Sequence, residues 1–111
     1  MPAVDTTPKV GDVGTSIEIT VVEWDDALGD YKIVDVSRAS LVLIKWRKPD
    51  NSPVVTKIGE FVTDGTDGKV RYVTLPGDID QAGPWQVEAE IYMDGGQWST
   101  DIYKMRVGRS L

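Results

Sequence analysis

The 111-residue chain has no cysteine and no histidine. Without cysteine it can form no disulfide framework, no thiolate nucleophile and no cysteine-based zinc site. Without histidine it lacks the commonest metal ligand and the usual general base near neutral pH. Because most hydrolases and metalloenzymes need one of these side chains, we expect a protein that is not an enzyme and that carries no cofactor and no metal.

Long apolar runs and positive charge are also scarce. No apolar run reaches the ~18 residues of a membrane span, so we expect none. Residues 1–12 lack the basic and apolar segments of a secretory signal, and we expect none here either. The net charge is −6, and a negative surface repels phosphate backbones. Neither nucleic acid nor a membrane is therefore expected as a partner.

No segment shows the periodicity of an amphipathic helix. Apolar and polar residues alternate instead, as they do in β-strands with one buried face. Turn residues, mainly glycine, proline and aspartate, recur about every ten residues between short alternating runs. The predicted strands cover residues 16–24, 31–39, 40–47, 54–62, 69–75, 85–93 and 97–107. Segment 31–39 is irregular and is placed along an edge of the core. About seven short strands in a chain of this length predict an all-β antiparallel sandwich.

The chain is long enough for one domain with a single core. The pattern predicts a flexible N-terminal arm at 1–12, a β-sandwich at 13–108 and a C-terminal tail at 109–111. The arm has two interpretations, a loose leader or a docking arm that becomes ordered on a partner.

Three tryptophans fall on inward positions of their strands and are expected in the core: Trp46, Trp85 and Trp98. A two-residue loop, at either Asp94-Gly95 or Gly95-Gly96, would also place Thr100 and Ile102 on the core face. The last apolar residues, Met105 and Val107, would then face outward. We therefore predict a bulge near Tyr103 that resets the alternation.

Aspartates cluster in two loops, DDALGD at 25–30 and TDGTDG at 63–68. Paired carboxylates can hydrolyse glycosides, and clustered oxygens can hold a hard cation. Both clusters lie in glycine-containing turns, however, where aspartate is favoured for turn formation alone. The turn role is the simpler interpretation.

Three aromatic residues are expected to face outward and are the candidate partner-binding residues: Trp24, Tyr31 and Tyr92. Trp24 ends its strand on the polar side, next to carboxylates. An exposed tryptophan there could anchor a protein interface or serve as a sugar platform. The alternative is a tryptophan packed under a loop.

Four segments stand in a characteristic order along the chain: GDVGTSIEITVVE, ASLVLIKWRKPDNSPVVTK, TDGTDGKVRY and GDIDQAGPWQVEAEIYMDGGQW. Together they resemble the immunoglobulin-like domain at the N-terminus of phage baseplate upper proteins, and stand-alone small virion proteins of tailed phages look similar. The resemblance covers about residues 10 to 107. Its most specific marks are the turns at 47–50, 63–69 and 80–83, the last followed by Trp85.

The resemblance implies an immunoglobulin-like β-sandwich with a non-enzymatic structural role in a tailed-phage virion, as a capsid decoration, neck or tail/baseplate accessory protein. The chain would be made in the cytoplasm of the bacterial host and would contact other virion structural proteins, with a homo-oligomer on the particle left open. The alternative is a glycan-binding or adhesion module displayed on the particle, with a cell-surface glycan as its ligand.

In immunoglobulin-like sandwiches an aromatic residue near the start of a central strand locks the preceding corner. The pattern Asp80-x-x-Gly83-x-Trp85 resembles that device, with tryptophan where tyrosine is usual. We expect Asp80 to cap the turn, Gly83 to permit its geometry and Trp85 to begin the buried face of the strand.

Overall fold

The structure is a computed structural model that describes residues 7–111. These residues form ten strands and no helix: β1 (Ser16–Thr20), β2 (Val22–Asp25), β3 (Asp30–Ile33), β4 (Leu41–Arg47), β5 (Val55–Ile58), β6 (Glu60–Phe61), β7 (Lys69–Val73), β8 (Gly83–Met93), β9 (Gly96–Ser99) and β10 (Tyr103–Val107). The prediction of an all-β antiparallel chain is confirmed.

The strands form three antiparallel sheets. One has the order β1-β7-β6, and a larger one has the order β10-β8-β4-β5 with β9 also paired to β8. The third consists of β2 and β3 alone. The two larger sheets share one core, because the inward residues of β1 and β7 pack in the same cluster as those of β4, β8 and β10.

Alternation along the central strands sets this core. β4 lies between β8 and β5, as its apolar character predicted. Trp46 and Trp85 are 2% and 0% exposed, and their ring centroids lie 5.9 Å apart. Both tryptophans therefore occupy the core positions that the sequence predicts.

Three of the predicted strands are each divided in two, which gives ten strands in residues 7–111 instead of about seven. After β1 the chain bends at Val21, whose N–H donates to the Gly68 carbonyl and whose carbonyl accepts from the Val34 N–H. Between β5 and β6 it crosses from one sheet to the other at Gly59, where a Cβ would lie 3.0 Å from the carbonyl oxygen of Arg71. The third division is a bulge.

The predicted two-residue turn follows β8 at Asp94-Gly95, where both residues have positive φ. β9 then pairs Trp98 with Ile91. If the pairing of β9 continued without interruption, Val87 would lie opposite Ile102. It lies instead opposite Tyr103 of β10, so the chain contains one extra residue between β9 and β10. The extra residue confirms the predicted bulge, and it turns two side chains of β10 into the core, Met105 and Val107.

The prediction that Trp98 and Ile102 join the core is wrong, since they are 52% and 61% exposed. Trp98 does lie on the face of Ile91, but β9 is an edge strand, and the indole folds over Gly96. Ile102 lies in the bulge, where alternation is interrupted. Thr100 is half-buried, and its hydroxyl accepts a backbone N–H from β8.

The predicted N-terminal arm falls partly outside the described residues, since residues 1–6 are not among them. Lys9 forms a parallel bridge with Gly108, and the Gly11 N–H donates to the Ile79 carbonyl at 2.8 Å. Val10 packs against the core. Residues 8–11 are thus attached to the domain instead of extending freely from it.

Candidate functional site

The hairpin of β2 and β3 carries two of the three predicted partner-binding residues. Trp24 pairs directly with Tyr31, and Val22 pairs with Ile33. Because paired residues of antiparallel strands point to the same side, these four side chains form one apolar face. We call it the hairpin face.

The opposite side of the hairpin is charged. Glu23 pairs with Lys32, and Asp25 pairs with Asp30. The Lys32 ammonium lies 3.6 Å from the Glu23 carboxylate and 3.4 Å from that of Asp25. The hairpin is thus amphipathic, yet within residues 7–111 it pairs with no further strand.

Most of the hairpin face is open to solvent. Trp24 and Tyr31 are each 55% exposed, and Ile33 is 56% exposed. The two aromatic rings meet edge to face, with centroids 5.3 Å apart, a geometry that aromatic pairs prefer. Single exposed apolar residues are ordinary on a protein surface, but a contiguous group is typical of an interaction site.

The turn between the two strands holds this face in place. The Asp25 carboxylate accepts the N–H groups of Ala27 and Leu28 at 2.9 and 3.1 Å, and the Leu28 N–H holds the pKa of Asp25 below its usual value. The Trp24 indole donates to the Asp26 carboxylate at 2.8 Å, which fixes the ring. These aspartates therefore have structural partners within their own loop.

Tyr92, the third candidate, is not part of this group. It lies on β8, in the five-stranded sheet, opposite Leu41 and Gln97. Its hydroxyl donates to Glu90, a buried carboxylate that also accepts Lys45 at 2.7 Å. The structure brings Trp24 and Tyr31 together and places Tyr92 in a separate polar network.

The corner before β8 is a tightly connected part of the scaffold. Trp85 is fully buried, and its indole donates to the Gln81 carbonyl at 3.0 Å. Gly83 has φ +120, and a Cβ there would lie 3.1 Å from Pro49. Asp80 does not cap the turn but pairs with Lys48 at 2.8 Å.

The carboxylate that caps this corner is Asp78, which sequence reasoning missed. It accepts the Leu75 N–H at 2.8 Å and the Tyr72 hydroxyl at 2.6 Å, with the Lys57 ammonium 3.5 Å away. Burial by itself raises the pKa of Asp78, but these hydrogen bonds outweigh it and lower the pKa. Burial, together with Asp78, raises the pKa of Tyr72 to about 12.

The second aspartate loop is also engaged in its own turn. Asp64 accepts the backbone and hydroxyl of Thr66, and Asp67 accepts the Lys69 N–H. Its glycines sit tightly, since a Cβ on Gly68 would lie 2.8 Å from the Val34 carbonyl oxygen. Within residues 7–111 no three acidic side chains come together as a metal site.

Two exposed residues of the hairpin were not predicted, Ile33 and Leu28. Segment 31–39 was placed along the core edge, and Val36 is indeed fully buried. The available signal was the pair of short segments 22–25 and 30–33 on either side of the turn at 26–29, which ends in a glycine and predicts a separate hairpin.

No helix among residues 7–111 is long and apolar enough to cross a membrane. Comparison of the chain with protein-family models, with curated proteins and with solved structures finds no match.

Proposed function

We propose that the chain is a non-enzymatic structural protein of a tailed-phage virion, serving in the capsid decoration, neck or tail/baseplate, and that it works by protein–protein contacts through the hairpin face. The observation that carries these contacts is the contiguous exposed group of Trp24, Tyr31 and Ile33 on a hairpin whose turn is held by hydrogen bonds to Asp25. Exposed aromatic residues of this kind dominate the binding energy of many protein interfaces.

The strand arrangement supports an immunoglobulin-like sandwich for this role. Sheets β1-β7-β6 and β10-β8-β4-β5 face each other across one core. The indole of Trp85 bonds to a backbone carbonyl four residues upstream, at the start of a central strand, as the corner tyrosine does in such domains.

The motifs that carry the resemblance also support it, because two of them contact each other. The turn at 47–50 meets the corner at 80–83 through the Lys48–Asp80 ion pair. The Gln81 amide donates to the Asp50 carboxylate at 2.7 Å. These residue types are therefore explained as parts of one scaffold.

Two of the clustered carboxylates, Asp25 and Asp64, do not suit the role of general acid in a glycosidase. Such an enzyme needs a general acid with a raised pKa. The Leu28 N–H lowers the pKa of Asp25, and the Thr66 hydroxyl lowers that of Asp64. Both shifts run opposite to that requirement.

The partners we propose are other virion structural proteins, reached after synthesis in the cytoplasm of the bacterial host, with self-association on the particle as the competing outcome. The first test is mass spectrometry of purified particles of the phage that encodes the chain. We expect its peptides in stoichiometric amount. A particle without any copy would refute the proposal.

The second test compares two exposed isoleucines on particles assembled without the chain. Ile33→Ser removes an apolar contact from the hairpin face, while Ile58→Ser makes the same change on β5, where Ile58 is 74% exposed. We expect added Ile33→Ser protein to bind such particles more weakly than wild type and Ile58→Ser protein to bind normally. Equal binding of both variants would remove the hairpin face from the interface.

A glycan-binding module is the second candidate, and the exposed Trp24–Tyr31 pair beside Asp26 favours it. A glycan array probed with the wild-type protein and with Trp24→Ala tests this alternative. Saturable binding that Trp24→Ala abolishes would support it, whereas binding that ignores the change, or no binding, would exclude it.

A further inference from the structure

A groove of about 410 Å³ lies between the base of the β2–β3 hairpin and the β8–β9 hairpin. That size falls within the roughly 300–1,000 Å³ of typical binding clefts. Its walls combine polar and charged residues with an apolar set that includes Val21, Val34, Val36, Ile91, Met93 and Trp98. The half-exposed indole of Trp98 is the largest apolar side chain in these walls.

A free strand edge borders this groove. β9 pairs with β8 on one side, and among residues 7–111 no strand covers its other side. The Thr100 N–H donates to the Ala89 carbonyl at 2.9 Å, which fixes the alternation of the ladder. By that alternation the backbone N–H and C=O groups of Gln97 and Ser99 point away from β8 and can receive another strand.

The rim of the groove carries an excess of negative charge. Three carboxylates line it, from Glu23, Asp35 and Asp94, together with the guanidinium of Arg38, while the Lys32 ammonium of the hairpin lies 3.6 Å from the Glu23 carboxylate. Asp94 holds that guanidinium through two hydrogen bonds of 3.2 and 2.7 Å. After these pairs are counted, the rim of the groove keeps a net negative charge, which is complementary to a lysine or arginine side chain.

We propose that the groove binds an extended segment of a partner protein, added as a strand to the free edge of β9. Alternate apolar side chains of the segment pack against Trp98 and the valine wall, and its lysine or arginine side chains face the acidic rim. The inference rests on the proposed function as a binding module and specifies the chemistry of a partner segment.

The N-terminal segment of a second copy fits this chemistry less well. Residues 1–6, MPAVDT, contain one aspartate and neither lysine nor arginine. A foreign segment that combines apolar alternation with basic residues matches both the walls and the rim. Self-association is therefore an outcome that counts against the proposal.

The test selects binders from a random nine-residue peptide library displayed on mRNA, with the full chain as bait. We expect enriched peptides to alternate apolar residues and to carry lysine or arginine. Their binding should be lost with Ser99→Pro, which deletes one outward N–H of β9, and kept with Ser99→Ala. Proline is tolerated on a strand edge where the N–H faces solvent, so both variants should fold.

Two more variants locate the peptide. Trp98→Ala should weaken its binding at least tenfold, and Glu23→Gln by about two- to fivefold, as for an exposed ion pair. Enriched peptides that bind Ser99→Pro as well as wild type, peptides without basic residues, concentration-dependent self-association that occupies the groove, or no enrichment would each overturn the proposal. Virion assembly through the hairpin face is measured separately, so the two proposals can fail independently.

Discussion

At the scale of single residues, the two buried tryptophans differ in one bond. Trp85 donates its indole N–H to the Gln81 carbonyl, whereas the Trp46 indole N–H has no hydrogen-bond partner within the described chain. Both rings fill the same core and contact each other. Comparing substitutions of Trp85 and Trp46 therefore separates the contribution of ring packing to stability from that of the Trp85–Gln81 hydrogen bond.

We expect Trp85→Phe to lower the free energy of unfolding by about 1 kcal/mol more than Trp46→Phe, because only the first change leaves a carbonyl without its donor. Trp85→Ala should cost about 3–5 kcal/mol, as for other large buried aromatics. Urea unfolding monitored by circular dichroism measures all three. Equal losses for the two phenylalanine variants would show that the corner bond contributes nothing.

Asp78 gives a pH dependence whose sign follows from its lowered pKa. A carboxyl with a lowered pKa in the folded state stabilises the fold above its usual value, near 3.9, and loses this effect as pH falls through the folded pKa. Asp78→Asn should therefore be less stable than wild type at pH 7, and the difference should shrink below about pH 4.

Thermal unfolding at several pH values checks this prediction. Asp80→Asn is the matched control, because Asp80 forms a more exposed ion pair, which contributes about 0–1 kcal/mol. A difference between wild type and Asp78→Asn that stays constant from pH 7 to pH 2 would contradict the role of the charge.

At the scale of elements, the bulge decides which residues of β10 reach the core. Deleting Ile102 removes the extra residue of the bulge, so that an unbroken ladder continuing from β9 would still pair Tyr103 with Val87 and keep Met105 and Val107 on the core face. We therefore expect the deletion variant to fold cooperatively, and Ile102→Ser to change stability by less than about 0.5 kcal/mol. Loss of the near-ultraviolet circular dichroism signal in the deletion variant would refute this register.

Strand positions and faces could be predicted where alternation was strict. In β8 the inward set beginning at Trp85 is buried as expected, and the bulge before β10 followed from the need to bury Met105. The alternation of apolar and polar residues predicts which face of the sheet a side chain occupies. It does not predict whether another element covers that face. Trp98 shows the difference, since it lies on the predicted face of an edge strand and is half exposed.

The candidate site was predicted only in part for a related reason. Trp24 and Tyr31 were expected to face outward from separate parts of the chain, and their direct pairing depends on β2 leaving the sheet of β1. That departure is set by tertiary hydrogen bonds at Val21. The groove beside β9 joins residues distant in sequence, so no local pattern could indicate it.

At the scale of the whole molecule, the turn motifs and the exposed surfaces have separate roles. The turns at 47–50 and 80–83 connect with each other, and the turn at 63–68 packs against the chain near Val34. The hairpin face and the groove remain open, and Val22 belongs to both. One side of the domain thus carries the two adjoining surfaces that we propose for partners.

The most direct measurement of the central claim is site-specific photo-cross-linking on assembled particles. A benzoylphenylalanine replaces Tyr31 on the hairpin face in one protein and Ile58 on β5 in the control. We expect the probe at position 31 to join the chain to another virion protein and the probe at position 58 to give no such product. Cross-links from position 58 alone, or none from position 31 in particles that contain the protein, would contradict docking through the hairpin face.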